Sequence, residues 1–139
     1  MENKKSLTNQ SIEDTNILNL DFMKMKTFSN QNVIPVAVQN AITKEVILIA
    51  YTNETAFKET IKTRKAVFWS TSRDELWLKG QESGNTFTIQ SIHVNCEQNS
   101  LVYKVTPDRG NICHTSKNNV ANNCFYRKLD LDTLELVFE

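Results

Sequence analysis

Three cysteines and a histidine are the residues of this sequence best suited to chemistry. The thiols are Cys96, Cys113 and Cys124, in the spacing C-x16-C-x10-C, and His114 directly follows the second of them. Zinc prefers thiolate and imidazole ligands, and a tetrahedral site with three protein ligands leaves its fourth position to a water molecule whose pKa falls to about 7. The pattern therefore indicates a zinc site that supplies hydroxide at neutral pH. Because the chain has no C-x-x-C pair, the alternative is that the thiols are small buried apolar side chains.

Polar side chains alternate around Cys96. Asn95, Glu97 and Asn99 offer three side-chain oxygens to a hard cation such as magnesium. They carry one negative charge among them, so a polar hairpin turn is an equally good interpretation of the same residues.

Hydroxyl groups, cations and two of the three glycines are concentrated between residues 70 and 85. Small residues and backbone amides beside Arg and Lys side chains can hold a phosphate group. The segment has neither a Walker pattern nor G-x-G-x-x-G, so a solvated loop with ordinary surface ion pairs is the alternative. The candidates for substrate binding are Ser70, Ser72, Arg73, Lys79 and Ser83.

Strands and short turns must position these residues. Asn53 and Glu54 are suited to the N-cap and the first turn of a helix. Phe57 and Ile61 fall on one face four residues apart, so we predict a helix over residues 54–63.

Runs of β-branched and aliphatic residues predict strands at residues 33–39, 45–51, 66–70, 86–94, 100–106 and 134–138. The first two of these strands form an antiparallel hairpin, and the last closes the sheet. Hairpin-length connections without a repeated strand–helix–strand alternation indicate an α+β fold, with a mainly antiparallel sheet and one or two short helices.

The length and composition indicate one folded domain. The chain has 139 residues, of which 40% are hydrophobic and 23% are charged, as in an average soluble globular protein. Residues 1–20 are polar, so we expect a mobile leader there, followed by a single domain over residues 21–139.

The charges exclude several classes of partner. Sixteen Lys and Arg balance sixteen Asp and Glu, so no overall field attracts nucleic acid or an anionic membrane.

The apolar stretches of the chain are short. The longest, residues 46–51, is far shorter than the roughly 20 residues of a membrane-spanning helix. The charged first residues are not followed by the apolar segment of a secretory signal. We expect a cytoplasmic protein that binds neither nucleic acid nor membranes and that meets any anionic substrate with local charges.

Several short motifs follow one another along the chain. They are A-Y-T-N-E at residues 50–54, W-S-T-S-R at 69–73, L-W-L-K-G at 76–80, C-H-T at 113–115 and C-F-Y-R at 124–127. Together with the hairpin that precedes them and the turn around Cys96, they resemble the phosphoribosyl-AMP cyclohydrolase family, whose enzymes open an adenine ring in histidine biosynthesis. The likeness covers about residues 28–128.

The resemblance implies a homodimer with two kinds of metal site. Zinc would be held by cysteines of both subunits, one equivalent to Cys96 and a pair equivalent to Cys113 and Cys124. A magnesium site would be built on the turn that corresponds to Asn95, Glu97 and Asn99.

The resemblance also implies a reaction, which is the metal-dependent hydrolysis of a small nucleotide. The substrate would be 1-(5-phosphoribosyl)-AMP, and opening its N1–C6 bond would give a formamidine carboxamide ribonucleotide. His114 would accept a proton from water and return one to the leaving nitrogen. Arg73 and Lys79 would hold the phosphates or the ribose.

The sequence departs from the family pattern in four places. The turn around Cys96 has one carboxylate where the family has three acidic residues. The loop 116–123 is about four residues longer than usual, and Thr71 and Gln81 replace residues that are commonly basic and acidic. Two alternatives therefore stay open, namely a divergent paralogue acting on another purine or cyclic amidine, and a non-catalytic zinc-bound dimer.

Overall fold

The computed structural model describes residues 9–27, 29–109 and 123–138. Its helices and strands, in chain order, are α1 (Asn9–Asp14), β1 (Ile34–Asn40), β2 (Val46–Thr52), α2 (Glu54–Thr63), β3 (Val67–Ser70), β4 (Glu75–Leu78), β5 (Phe87–Val94), β6 (Leu101–Pro107), β7 (Arg127–Leu129) and β8 (Leu136–Phe138).

Four strands form the main sheet in the order β2-β1-β6-β5. β1 and β2 form the predicted antiparallel hairpin, and β5 pairs antiparallel with β6. The central pair is parallel, with Val36 of β1 opposite Leu101 of β6. The prediction of an α+β fold with mainly antiparallel pairing and short helices is confirmed. The parallel pair was not predicted, because it joins strands far apart in the sequence through a connection that contains α2 and the β3–β4 hairpin.

One face of the sheet forms the core. Ile34, Val36 and Val38 of β1 are buried, whereas the residues between them are half-buried, as strand alternation requires. Phe68 of β3 stacks on Tyr103 of β6 with ring centroids 5.9 Å apart. Burial of Tyr103 raises the pKa of its hydroxyl to about 12, an effect that the nearby hydroxyls of Thr52 and Thr60 reduce.

The helix α2 has the bounds that its local signals predict. The side chain of Asn53 accepts a hydrogen bond from the Ala56 N–H at 2.8 Å, and the helix ends at Arg64, which has a left-handed conformation. The buried residues of the helix are Ala56 and Thr60, whereas Ile61 is 40% exposed. The helix therefore packs on the core through Ala56, Thr60 and the half-buried Phe57, and less through Ile61.

Two strand predictions need correction. Residues 75–78 form β4 beside β3, although the sequence analysis treated them as part of a loop. Residues 136–138 form β8, but β8 pairs with β7, and within the described residues it does not join the main sheet. A strand of three or four residues leaves too short an alternation to detect, and its partner cannot be read from local sequence.

The N-terminal segment includes the helix α1, within residues 1–20 that we expected to be a mobile leader. The division into residues 1–20 and 21–139 stays a prediction. Among the described residues, no helix combines the length and apolar character needed to cross a membrane.

Candidate active site

A cavity of about 530 Å³ lies against the β3–β4 hairpin, the loop that follows it and the edge strand β2. It is lined by Arg73, Lys79 and Ser83, three of the five predicted substrate-binding residues, and by Cys124, one of the predicted zinc ligands. Trp77 contributes apolar surface. Apolar walls with a few cationic and polar groups are typical of a small-molecule site.

The turn between β3 and β4 presents Arg73. The buried Ser70 accepts a hydrogen bond from the Arg73 main-chain N–H at its Oγ, 3.2 Å away, and Trp69 Nε1 donates to Asp74 Oδ1 at 3.1 Å. The Arg73 side chain is exposed, with its Nε 3.5 Å from Glu75 Oε2. An exposed pair of this kind contributes little to stability, so the guanidinium can exchange Glu75 for an anionic ligand at little cost.

The remaining serine candidates do not line this cavity. Ser70 lies within 3.4 Å of Ser72, oxygen to oxygen, and its hydroxyl stabilises the turn. Ser72 lines a separate cavity of about 300 Å³ with Tyr51 and Met25. The structure therefore brings Arg73 and two other candidates together and places these two serines elsewhere.

Two glycines shape the loop 79–86. Gly80 has a φ of +81°, and a Cβ atom there would overlap the backbone carbonyl of Asn85. Gly84 has the same φ, and a Cβ atom there would lie 2.9 Å from Cζ of Arg109. Arg109 therefore packs against this loop and adds a cation that the sequence analysis missed.

Lys79 begins the loop and is held by one contact of its main chain and one of its side chain. Its main-chain N–H donates to the Ala66 carbonyl at 3.3 Å, and its Nζ lies 5.1 Å from the ring centroid of Phe87. This cation–π contact fixes the ammonium group beside the cavity.

Cys96 and Cys124 lie at opposite edges of the main sheet. Cys124 donates its main-chain N–H to Ile47 of the edge strand β2 at 2.7 Å, whereas Cys96 lies in the turn that follows β5, the other edge strand. Because neighbouring strands are about 4.8 Å apart, the two thiols of one chain are separated by more than about 10 Å. Both are exposed and they are not joined by a disulfide.

The donor chemistry of these thiols fits zinc, but one chain does not assemble the site from the described residues. No group of three or more His, Cys, Asp or Glu side chains converges within residues 9–27, 29–109 and 123–138. The third predicted zinc ligand, Cys113, and the predicted catalytic residue, His114, lie outside the described residues, as does the loop 116–122.

The turn around Cys96 does not fit a magnesium site. Asn95 Oδ1 accepts the main-chain N–H groups of Asn99 and Ser100 at 2.8 and 2.9 Å, and Asn95 Nδ2 donates to Asn99 Oδ1 at 2.7 Å. Glu97 Oε1 lies 3.3 Å from Asn99 Nδ2. The side-chain oxygens therefore bond to amide groups of the turn instead of converging on one point.

A charged cluster fastens the end of β6, close to the loop that carries Arg109. Lys65 Nζ lies 2.8 Å from Asp108 Oδ2, and the hydroxyls of Thr86 and Thr88 also donate to Asp108. Partial burial alone would raise the pKa of Asp108, but these hydrogen bonds and the Lys65 charge together lower it. The cluster joins β5, β6 and the residues that precede β3 at one end of the sheet.

The stretch that builds this cavity has known relatives. A sequence model of the phosphoribosyl-AMP cyclohydrolase family matches residues 48–126. The phosphoribosyl-AMP cyclohydrolase of Archaeoglobus fulgidus is 44% identical over 105 residues, which are 76% of this chain and 93% of that protein. The phosphoribosyl-AMP cyclohydrolase of Nitrosopumilus maritimus is 41% identical over 116 residues, which are 84% of this chain and 98% of that protein. This chain belongs to the phosphoribosyl-AMP cyclohydrolase family.

Membership of the phosphoribosyl-AMP cyclohydrolase family confirms the expected resemblance and the prediction of an enzyme. The bifunctional histidine biosynthesis protein of Thermus thermophilus is 40% identical over 102 residues, which are 73% of this chain but 45% of that protein. The chain thus matches about half of such a bifunctional relative. The metal ligands, the catalytic histidine and the substrate-binding residues stay predictions.

Three residues of this cyclohydrolase-family chain were missed because only folding brings them to the candidate sites. Arg109 packs on Gly84, and both Lys24 and Gln98 contact the turn around Cys96 or form part of it. No spacing in the sequence indicates these contacts. The φ of +57° at Gln98, which a non-glycine residue seldom adopts, is also invisible before the fold is known.

Proposed function

We propose that this chain hydrolyses the N1–C6 bond of the adenine ring of 1-(5-phosphoribosyl)-AMP, a step of histidine biosynthesis. The observation that supports the proposal most is the cavity in which Arg73, Lys79 and Cys124 lie together, because it combines phosphate-binding cations with a zinc-binding thiol. The family match covers this cavity. A cytoplasmic location is part of the same proposal.

The substrate carries two phosphate groups and the chain has no net charge, so local cations must bind it. Arg73 is exposed, and its weak ion pair with Glu75 suits a guanidinium that changes partner on binding. Lys79 lines the same cavity, and its Nζ lies 5.1 Å from the ring centroid of Phe87. The two cations therefore bind the phosphates or the ribose and orient the purine in the cavity.

The metal would be zinc, held by Cys96, Cys113 and Cys124. When bound, zinc lowers the pKa of a water molecule so that hydroxide is available near neutral pH. N1 carries the ribosyl group, which makes C6 electron-poor. The oxygen of water adds to C6, the C6–N1 bond breaks, and the products are a carboxamide at C6 and a formamidine that retains N1.

His114 would move the proton in this reaction. It accepts a proton from the attacking water and returns one to N1 as the C6–N1 bond breaks, so the histidine ends the cycle as it began. This role requires an imidazole that is not itself a zinc ligand.

We also propose that the active form is a homodimer whose zinc sites take ligands from both subunits. In support, Cys96 and Cys124 of one chain lie at opposite edges of the sheet, so a second copy is needed to bring such thiols together. The β7–β8 hairpin exposes a row of apolar side chains, namely Leu129, Leu131, Leu134, Leu136, Val137 and Phe138. A two-stranded hairpin alone is marginally stable in water, so a second copy packed on it would stabilise it.

Complementation tests the shared site. C96S and C124S proteins should each be inactive as homodimers. A mixture refolded together forms heterodimers with one intact site, so it should recover about a quarter of the wild-type activity. Failure to recover activity, with heterodimers demonstrated, would contradict ligands shared between subunits.

The proposed chemistry is tested by comparing the chain's two histidines. H114A should retain its zinc but lose turnover of 1-(5-phosphoribosyl)-AMP by about 10²–10⁴-fold, the usual effect of removing a general acid or base. H93A is the matched control, because His93 is exposed on β5 and bonds to Ser91 at 3.2 Å. Equal rates for H114A and wild type would refute the role of His114.

A further inference from the structure

The turn between β5 and β6 is fastened to the N-terminal segment through Gln98. This residue is 6% exposed, and its Oε1 accepts the Asn19 N–H at 2.5 Å while its Nε2 donates to the Ile17 carbonyl at 3.1 Å. Its main-chain carbonyl also accepts the Asp21 N–H at 2.7 Å. Two hydrogen bonds of the buried side-chain amide and one to the main-chain carbonyl of Gln98 therefore hold residues 17–21 against this turn.

The same segment brings a cation to the turn. Lys24 Nζ lies 3.6 Å from Glu97 Oε1, and Glu97 is the only carboxylate among the three residues expected to bind magnesium. Both side chains are more than half exposed, so this pair supplies charge balance more than stability.

The other expected ligand oxygens are already engaged. Asn95 Oδ1 accepts two main-chain N–H groups, which use both of its lone pairs. Asn99 Oδ1 accepts from Asn95 Nδ2. Magnesium requires near-ideal octahedral oxygen ligands at about 2.0–2.1 Å and parts with its waters reluctantly. To bind there, it would have to displace Lys24 and break the bonds of Asn95 in exchange for a single carboxylate.

We infer that the segment Ile17–Lys24, which we term the N-terminal strap, replaces a divalent cation at this turn. Lys24 balances the charge of Glu97, and Gln98 fixes the backbone beside Cys96. The turn of this chain is therefore folded without magnesium. This inference concerns the metal content and the rigidity of the turn, so it stands whichever substrate the chain takes.

Magnesium titration of the full chain tests the inference. The Tm of the wild type should not rise with millimolar Mg²⁺, whereas the variant K24M/N95D/N99D, which restores three carboxylates and removes the cation, should show a Mg²⁺-dependent rise. K58M is the matched control, since Lys58 forms an exposed pair of the same length with Glu54, at 3.6 Å. A Mg²⁺-dependent rise in the wild type that E97Q abolishes would overturn the inference.

Amide hydrogen exchange tests the strap itself and does not depend on folding of the triple variant. In Q98A, exchange at the Asn19 and Asp21 amides should be about tenfold faster. The Asn19 amide loses its acceptor, the side-chain oxygen of Gln98, and the Asp21 amide loses the buried side chain beside it. Q90A is the control, since Gln90 is exposed on β5 and its Nε2 donates to Thr106 Oγ1 at 3.1 Å, away from the turn. Unchanged exchange at both amides in Q98A would overturn the role of Gln98.

Discussion

Replacing each loop glycine by alanine gives a sharp test of the geometry around the cavity. Gly80 and Gly84 both have a φ of +81°, which costs an L-residue about 1 kcal/mol or more. At Gly80 the added Cβ also overlaps the backbone carbonyl of Asn85, which cannot move without opening the loop. At Gly84 it meets only the mobile guanidinium end of Arg109, 2.9 Å away.

The two variants should therefore differ although the substitution is identical. We expect G80A to lower the free energy of unfolding by about 3 kcal/mol, as backbone strain and overlap add, and G84A by about 1 kcal/mol. Urea denaturation followed by tryptophan fluorescence measures both, because Trp77 lines the same cavity. G80A should also lower kcat/KM more than G84A does. Equal losses of stability would refute the argument that the Asn85 carbonyl makes Gly80 necessary.

Three further predictions concern charge and burial. Because hydrogen bonds hold the pKa of Asp108 below its usual range, the stability that its carboxylate contributes is present above the unfolded pKa of about 3.9 and is lost as the pH falls through the folded pKa. D108N should lower the free energy of unfolding by about 1–2 kcal/mol at pH 7 and should flatten the acid side of the profile of Tm against pH. An unchanged profile would contradict this. Since burial raises the pKa of Tyr103 to about 12, the stabilisation by its neutral hydroxyl is fully present below the usual tyrosine pKa of 10.0 and is lost as the pH rises towards 12. The free energy of unfolding of Y103F should therefore fall less steeply with pH over that range, and equal slopes for the variant and the wild type would count against it. R73A should raise KM about tenfold with a smaller change in kcat, and R73K should recover part of the loss; an unaltered KM would exclude Arg73 from substrate binding.

Elements with complete local signals were predicted well from the sequence. The helix α2 has its N-cap and its first-turn acid side by side, so its start needs no knowledge of the rest of the chain. The β1–β2 hairpin likewise depends on two apolar runs and a short loop. The parallel β1–β6 pair depends on strands that meet only after the intervening chain has folded, and no local pattern indicates it.

The candidate site shows the same division. Arg73 and Lys79 lie in two neighbouring motifs, and both line one cavity, whereas their role in substrate binding stays a prediction. Ser70 shares the motif of Arg73, but its hydroxyl caps the turn, a use that a sequence pattern does not distinguish from ligand binding. Lys24 reaches Glu97 from a distant part of the chain, so the charge balance of the turn could be found only in the structure.

The central claim is zinc-dependent opening of the adenine ring, and one measurement addresses it directly. The rate of ultraviolet absorbance change is followed after 1-(5-phosphoribosyl)-AMP is mixed with zinc-loaded protein, with chelator-stripped protein, and with each after addition of Mg²⁺. We expect turnover with zinc, loss of turnover on stripping, recovery when zinc returns, and no dependence on Mg²⁺ at the turn of Asn95, Glu97 and Asn99. Bound zinc without turnover of this nucleotide would contradict the proposed function.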